Sequence, residues 1–524
     1  MGYQRSGARL WLLAFVGFWL LHAGWAFAAP YNGPPDEQQH VLRAAGVLNG
    51  QLVTEKTVRG AMQTVPESLV RGWCFPTRVE VPASCEPEPG GAETPKSEDA
   101  TAGRFNPVYY AVTSWPVAVW PNWRGIMASR LLNGAAMAAL LACAVVAAAR
   151  WTRHRALVTG LVVAITPMTA HLGGAINPNG VEIAAAVALF AALIPLVHEQ
   201  HDQHDQREGM NRAAVALAGV SAAVLVTPRF TGVMWLAVIV GVVLVPAART
   251  RLRTLVRSRA VLSWSAVVAV FAIASLAWTY LVKPADPTGG NLGFTQKQIL
   301  RTALLDVWPN VANQMIGVMG WAETLMPRLV YVAWVMAAGL LLLAALALGG
   351  LADRWRLVAL FLATFTPLLT LEILTANEIG WFNQGRYFLP GAVGLPLFAA
   401  HILARRGFTA EQLRDLTRLF AVLLLPIHLV CLAYTMTRWQ SGLRSLNPFE
   451  GSWLPPYGTV LPLACGAAGV AVLFAVYWRA SRVVGPREGV AGPDGAVESV
   501  EAREWPVRPT ADETRTETVS AGQV

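Results

Sequence analysis

Long apolar runs separated by short polar turns set the pattern of the chain. The first run covers residues 10–29. Others stand at about 125–149, 156–176, 181–198, 213–227, 230–247, 261–282, 328–350, 356–375, 386–404, 418–437 and 459–479. Apolar stretches of this length predict membrane-spanning helices, about twelve in all. Their middles are mostly Ala, Val and Leu, and charge gathers at their ends. Thr-Pro pairs at Thr166, Thr227 and Thr366 predict bends, because proline removes a backbone hydrogen bond. The fold class expected is an all-α polytopic membrane protein with a large first loop.

Four regions follow from the same pattern. Residues 1–29 read as a signal anchor and first span. Ala26-Phe27-Ala28 has the small-x-small pattern of a signal-peptidase site, but the run is long and holds Trp11, Trp19 and Trp25, so retention is expected. Residues 30–124 form the first polar loop. In it Asp36 is expected as the N-cap of a helix, with Gln39 as the N3 partner of a capping box. Val41, Ala44, Leu48 and Leu52 recur at helical spacing, which predicts an amphipathic helix on the membrane surface. Residues 86–103 are rich in Pro, Gly, Glu and Ser and read as an irregular, mobile loop. Residues 125–480 form the multi-span domain, interrupted by a second polar loop at 283–327. Residues 481–524 are polar without apolar periodicity and read as a disordered tail.

Composition narrows the class. The 524 residues are 54% hydrophobic and only 14% charged, which excludes an ordinary soluble protein. The net charge of +9 is concentrated in alternate turns. Arg150–Arg155, Arg249–Arg259, Asp353–Arg356, Arg405–Arg418 and Arg479–Arg487 fall on one side with the basic N-terminus. By the positive-inside rule that side is the cytoplasm, so both termini are expected inside and the two large loops outside. The charge therefore reflects topology, and no nucleic-acid partner is expected. Cys143, Cys431 and Cys465 lie in apolar runs and read as inert hydrophobes. Cys74 and Cys85 share the outer loop, where a disulfide is expected. His198–His204, on the cytoplasmic side, reads as a solvated polar loop rather than a metal site.

With sides assigned, the polar landmarks gather outside. Asp36 and Glu37 directly follow the first span, with His40 on the same helical face. Asn177–Glu182, Arg229, Glu323, Glu378, Asn383 and Arg386-Tyr387 all fall at outer ends. Together they suggest a polar cavity open to the outer face. Taken singly, each has a plainer reading as a cap, a solvated charge, a snorkelling arginine or an interfacial aromatic.

Four segments in order carry a resemblance: Pro34–His40, Asn106–Tyr110, Gly320–Pro327 and Gln384–Pro390. Together they resemble the domain of unknown function 2142 family of bacterial polytopic membrane proteins, from the first loop to about Ala480. Glu323 stands where the family pattern favours Asp. The family in turn is similar to the GT-C membrane glycosyltransferases, which place an acid in the first outer loop just after the first span. That similarity implies a GT-C-like fold in the bacterial cytoplasmic membrane. It also implies transfer of a sugar from a polyprenyl-phosphate donor, held with membrane lipid, to a glycan or lipid acceptor of the cell envelope.

Such a transfer needs a base for the acceptor hydroxyl and positive charge for the departing phosphate. Asp36 is the expected base, with Glu37 second. Arg386 is the expected phosphate ligand, with Arg229 second. His40, Glu323, Glu378, Asn383 and Tyr387 are expected to bind substrate. No cofactor is required, and a divalent cation is left open. The alternatives are a transporter or flippase of an envelope component, and a non-catalytic envelope-assembly protein.

Overall fold

The computed structural model describes residues 2–91, 93–199, 211–245, 249–283 and 292–482. The first helix, α1 (Gly2–Ala28), leads into the first loop, which is folded. It holds α2 (Glu37–Leu48), β1 (Ala61–Pro66), β2 (Pro95–Ala100), α3 (Pro107–Thr113) and α4 (Trp115–Val119). The two strands pair antiparallel, Ala61 opposite Ala100 and Pro66 opposite Pro95. A strand therefore stands within the 86–103 stretch expected to be irregular: its polar side chains face outward while the backbone completes the ladder.

The remaining helices are α5 (Trp123–Trp151), α6 (Ala156–Ala164), α7 (Pro167–Gly173), α8 (Pro178–His198), α9 (Arg212–Val226), α10 (Phe230–Leu244), α11 (Arg249–Arg257) and α12 (Arg259–Val282). Then follow α13 (Gln296–Thr302), α14 (Trp308–Gly317), α15 (Arg328–Leu348), α16 (Leu351–Ile379), α17 (Gly385–Ala392), α18 (Gly394–Arg405), α19 (Ala410–Ser441) and α20 (Val460–Ala480). A short hairpin, β3 (Val318–Met319) with β4 (Thr324–Leu325), precedes α15. Local chemistry sets several helix starts. Asn122, Asn177 and Thr409 cap α5, α8 and α19 by accepting backbone N–H bonds, and Pro178 follows the Asn177 cap.

Among the described residues, nine helices are long and apolar enough to cross a membrane. The expected spans at 156–176, 213–227 and 230–247 are not among them. The first is the pair α6–α7, bent by 72°. There Pro167 supplies no N–H, and Thr166 turns outward to donate its hydroxyl to the Met315 carbonyl. The other two are α9 and α10, fifteen residues each, about 22 Å at 1.5 Å per residue. The tail from residue 483 and residues 200–204 of His198–His204 lie outside the described residues.

Small residues let the central helices approach. A Cβ on Gly174 would stand 2.5 Å from the Cβ of Trp25, and one on Gly24 would stand 2.9 Å from the Gly466 backbone. This is close packing of the kind that holds helices together without a hydrophobic drive. The first loop joins the bundle through its own core, where Tyr31, Val41, Leu42, Val65 and Leu69 pack with Ile126 of α5 and Ile176.

That packing corrects two expectations about α2. It does not lie on a surface, because Glu37–Val47 are buried throughout. Nor is there a capping box: Asp36 has φ 60°, ψ 7° and makes no side-chain bond to the helix amides. In this left-handed conformation, tolerated by Asp, the carboxylate goes instead to Arg386. Gln39 Oε1 accepts from Thr101 N.

Candidate functional site

The turn Pro30–Asp36 is held from three directions. Arg130, in the third turn of α5, donates to the carbonyls of Ala26, Ala29 and Pro30 at 3.0, 2.8 and 2.8 Å. Asn177 Nδ2 donates to Pro35 O at 2.9 Å. Trp321 Nε1 donates to Asn32 O at 2.8 Å. Arg130 also takes Glu37 through two bonds, Nε to Oε1 at 2.7 Å and Nη2 to Oε2 at 2.5 Å, with both side chains fully buried. The Ile176 amide adds a third donor to Glu37 at 3.2 Å. The Glu37 carboxylate is therefore taken up by three donors and shut from solvent.

Asp36 has the opposite surroundings. Its side chain is 29% exposed, and Oδ2 accepts from Nη2 of the buried Arg386. Arg386 also donates to Gln384 Oε1 and, at 3.3 Å, to Asn179 Oδ1. Beside it Arg229 donates to Glu182 Oε2 at 3.1 Å. The Tyr387 ring is near both cations, with its centroid 5.0 Å from the Arg386 guanidinium and 5.5 Å from that of Arg229. Phe105 flanks Arg229 at 5.6 Å. His40 is buried and hydrogen-bonded to the Tyr110 hydroxyl at 2.8 Å. Burial, then the charges of Arg229 and Arg386, hold its pKa well below the usual histidine value, so it is neutral.

The structure thus brings together Asp36, His40, Arg229, Arg386 and Tyr387. Each arginine has one acid, so the cluster is balanced at rest. The Asp36–Arg386 pair is the more open of the two: the Asp36 side chain is 29% exposed, against 15% for Arg229 and 2% for Glu182. Arg386 itself is 3% exposed, behind the Asp36 carboxylate, and a guanidinium is a planar fork of donors of the kind that suits phosphate.

Other expected residues stand elsewhere. Glu323 is paired with Arg438 Nε at 3.0 Å. Burial, opposed by Arg438, raises its pKa. Arg438 in turn donates to the carbonyls of Phe75, Arg78 and Val81 in the loop closed by the Cys74–Cys85 disulfide. Glu323 therefore anchors that loop and makes no contact with Asp36 or Arg386. Asn383 is buried; its Nδ2 donates to Leu368 O, and its amide donates to Glu372 Oε1. Glu378 is exposed near the end of α16. No three His, Cys, Asp or Glu side chains converge as metal ligands among the described residues.

Sequence reasoning placed Asn179 and Glu182 among the outer landmarks without a role, and missed Arg130 beside them and Glu372 and Arg438 farther off. A usable signal existed for most of them: a lone charge inside or at the tip of an apolar run costs energy unless it is paired.

Comparison with known proteins gives two results. A family model described as "Predicted membrane protein (DUF2142)" matches residues 18–395. This takes in all of the Asp36–Arg386 cluster and stops short of Arg438. No curated protein matches the chain. Two solved structures of ArnT from Cupriavidus metallidurans match at 15% identity. One, bound to undecaprenyl phosphate, covers 92% of this chain and 77% of that chain with a TM-score of 0.41. The other, in the apo state, covers 90% and 77% with a TM-score of 0.42.

Proposed function

The chain belongs to the DUF2142 family of predicted membrane proteins, and from that premise we propose that it is a membrane glycosyltransferase of GT-C type. It transfers a sugar from a polyprenyl phosphate to a cell-envelope acceptor at the outer face. The observation that carries this reading is the half-exposed Asp36 carboxylate on a buried Arg386, with Arg229 near the same Tyr387 ring.

The chemistry proceeds by exchange of partners. The phosphate of the donor binds Arg386 and displaces Asp36, which is then free to accept a proton. The acceptor hydroxyl oxygen bonds to the anomeric carbon as the bond from that carbon to the phosphate oxygen breaks. The hydroxyl proton passes to Asp36, and the phosphate monoester leaves on Arg386, with Arg229 adding positive charge. Every group in this scheme belongs to the chain or its two substrates.

The test is transfer of radiolabelled sugar from a polyprenyl-phosphate donor by purified protein in detergent or nanodiscs. Asp36→Asn is expected to abolish transfer while the folded protein remains. Undiminished transfer by that variant removes Asp36 as the base. A wild-type protein that moves a lipid-linked sugar across the membrane without cleaving it is a flippase.

A further inference from the structure

At the end of the bundle opposite Asp36, a groove of 460 Å³ runs between the last half of α10 and the first half of α16. This is within the ~300–1,000 Å³ of small-molecule sites. Its walls include Val238, Gly241 and Val245 on one side and Trp355 and Ala359 on the other, and Arg356 is its one charged lining residue. Val245 and Trp355 are 81% and 62% exposed, so the groove lies on the outside of the bundle, where a membrane protein meets lipid.

Arg356 is the unusual member. It is 6% exposed, and its Nε and Nη1 are shut from solvent with no hydrogen-bond partner among the described residues. The neighbouring acid, Asp353, is 3.8 Å away, beyond hydrogen-bond distance, and its other oxygen accepts from Arg406 Nε at 2.9 Å. The Phe398 ring, 5.4 Å below the guanidinium, offers only its π face. A buried guanidinium with unfilled donors is costly, and an anionic acceptor relieves that cost. Arg354, Arg405 and Arg406 stand at the same end of the bundle and add to the positive field.

We propose that this groove binds an anionic phospholipid, with an acyl chain along the α10–α16 walls and the phosphate on Arg356. A free inorganic anion would leave the apolar walls uncovered. A zwitterionic lipid fits the walls, but its own cation meets the basic field. An anionic lipid satisfies both, as basic pockets between membrane helices do in general. The exposed Trp355 ring marks the mouth at headgroup depth, where tryptophan is favoured.

The experiment uses the full chain, delipidated in detergent and examined by native mass spectrometry with phosphatidylglycerol, phosphatidylcholine or inorganic phosphate. Phosphatidylglycerol is expected to bind about fivefold more tightly than phosphatidylcholine, the preference one arginine supplies. Arg356→Gln is expected to remove that preference. Gly241→Leu fills the groove where a Cβ meets nothing within 4 Å, so the fold accommodates it. It is expected to lower binding of both lipids while leaving the unfolding temperature of the delipidated protein unchanged. Equal binding of the two lipids to the wild-type protein overturns the proposal. So does undiminished phosphatidylglycerol binding by Gly241→Leu, or its displacement by excess inorganic phosphate.

Discussion

Asp36 and Glu37 are adjacent in sequence and each is bound to one arginine, yet they sit in two different physical settings. The Glu37–Arg130 pair is fully buried, takes every donor within reach and ties α1, α2, α5 and the turn before α8 into one joint. The Asp36–Arg386 pair is open on one side and shares its cation with three uncharged acceptors, on Asn179, Gln384 and Tyr387. A buried pair resists exchange because breaking it strands a charge, whereas a partly exposed carboxylate can give way to another anion, which keeps the buried cation paired. The comparison separates an acid that is locked into the packing from an acid that keeps one side open.

The largest expected effect lies on the open pair. Asp36→Asn should lower the transfer rate by about 10²–10⁴-fold, the range of a lost general base, and should shift the unfolding temperature little. A rate loss accompanied by unfolding would erase the distinction between the two acids. Next in size is Arg130→Met, which leaves Glu37 buried and unpaired. It should cost about 3–5 kcal/mol, read as a large fall in unfolding temperature and in yield from the membrane. Glu37→Gln with Arg130→Met should recover part of that loss, since no unpaired acid remains.

Smaller again is Arg386→Lys, which keeps the charge but not the fork. It should raise the KM for the donor about tenfold with kcat much less affected, as loss of one bidentate contact does. A larger effect on kcat than on KM would mean that Arg386 acts mainly in the transition state. The smallest effect belongs to Glu88, in the first loop. Burial pushes its carboxyl up to about 7, against the opposing charge of Arg130, with Glu37 adding a minor upward push. Because this folded value exceeds the unfolded one, the group lowers stability as pH rises from about 4.5 to 7. Glu88→Gln should therefore raise the unfolding temperature at pH 8 and leave it unchanged below pH 4.5. Unfolding temperatures at the two pH values measure the difference.

The membrane class and the position of most spans were legible because apolar run length reports directly on burial in lipid. The Pro34–His40 stretch stood out in the sequence because two acids beside a span are rare, and the structure sets each of them against an arginine. Asp36's partner was not legible as such, because nothing local ties residue 36 to residue 386. The capping box failed for the same reason. The local pattern favoured a cap, and a distant guanidinium offered the carboxylate a stronger acceptor role. The two Thr-Pro pairs at 166 and 366 make the limit plain. One breaks its helix by 72°, and the other lies inside the continuous α16. Tertiary partners such as the Met315 carbonyl, rather than the dipeptide, decide between them.

The sequence separations of the two pairs also set when each forms during synthesis. Glu37 and Arg130 are 93 residues apart, and Asp36 and Arg386 are 350 apart. At roughly 5–20 residues per second, Glu37 waits about 5–20 s for its cation, while Asp36 waits about 20–70 s. The joint at the end of α1 can therefore set while most of the bundle is still unmade. Asp36 stays unpaired with Arg386 until α17 arrives, so this pair closes only as the membrane domain nears completion.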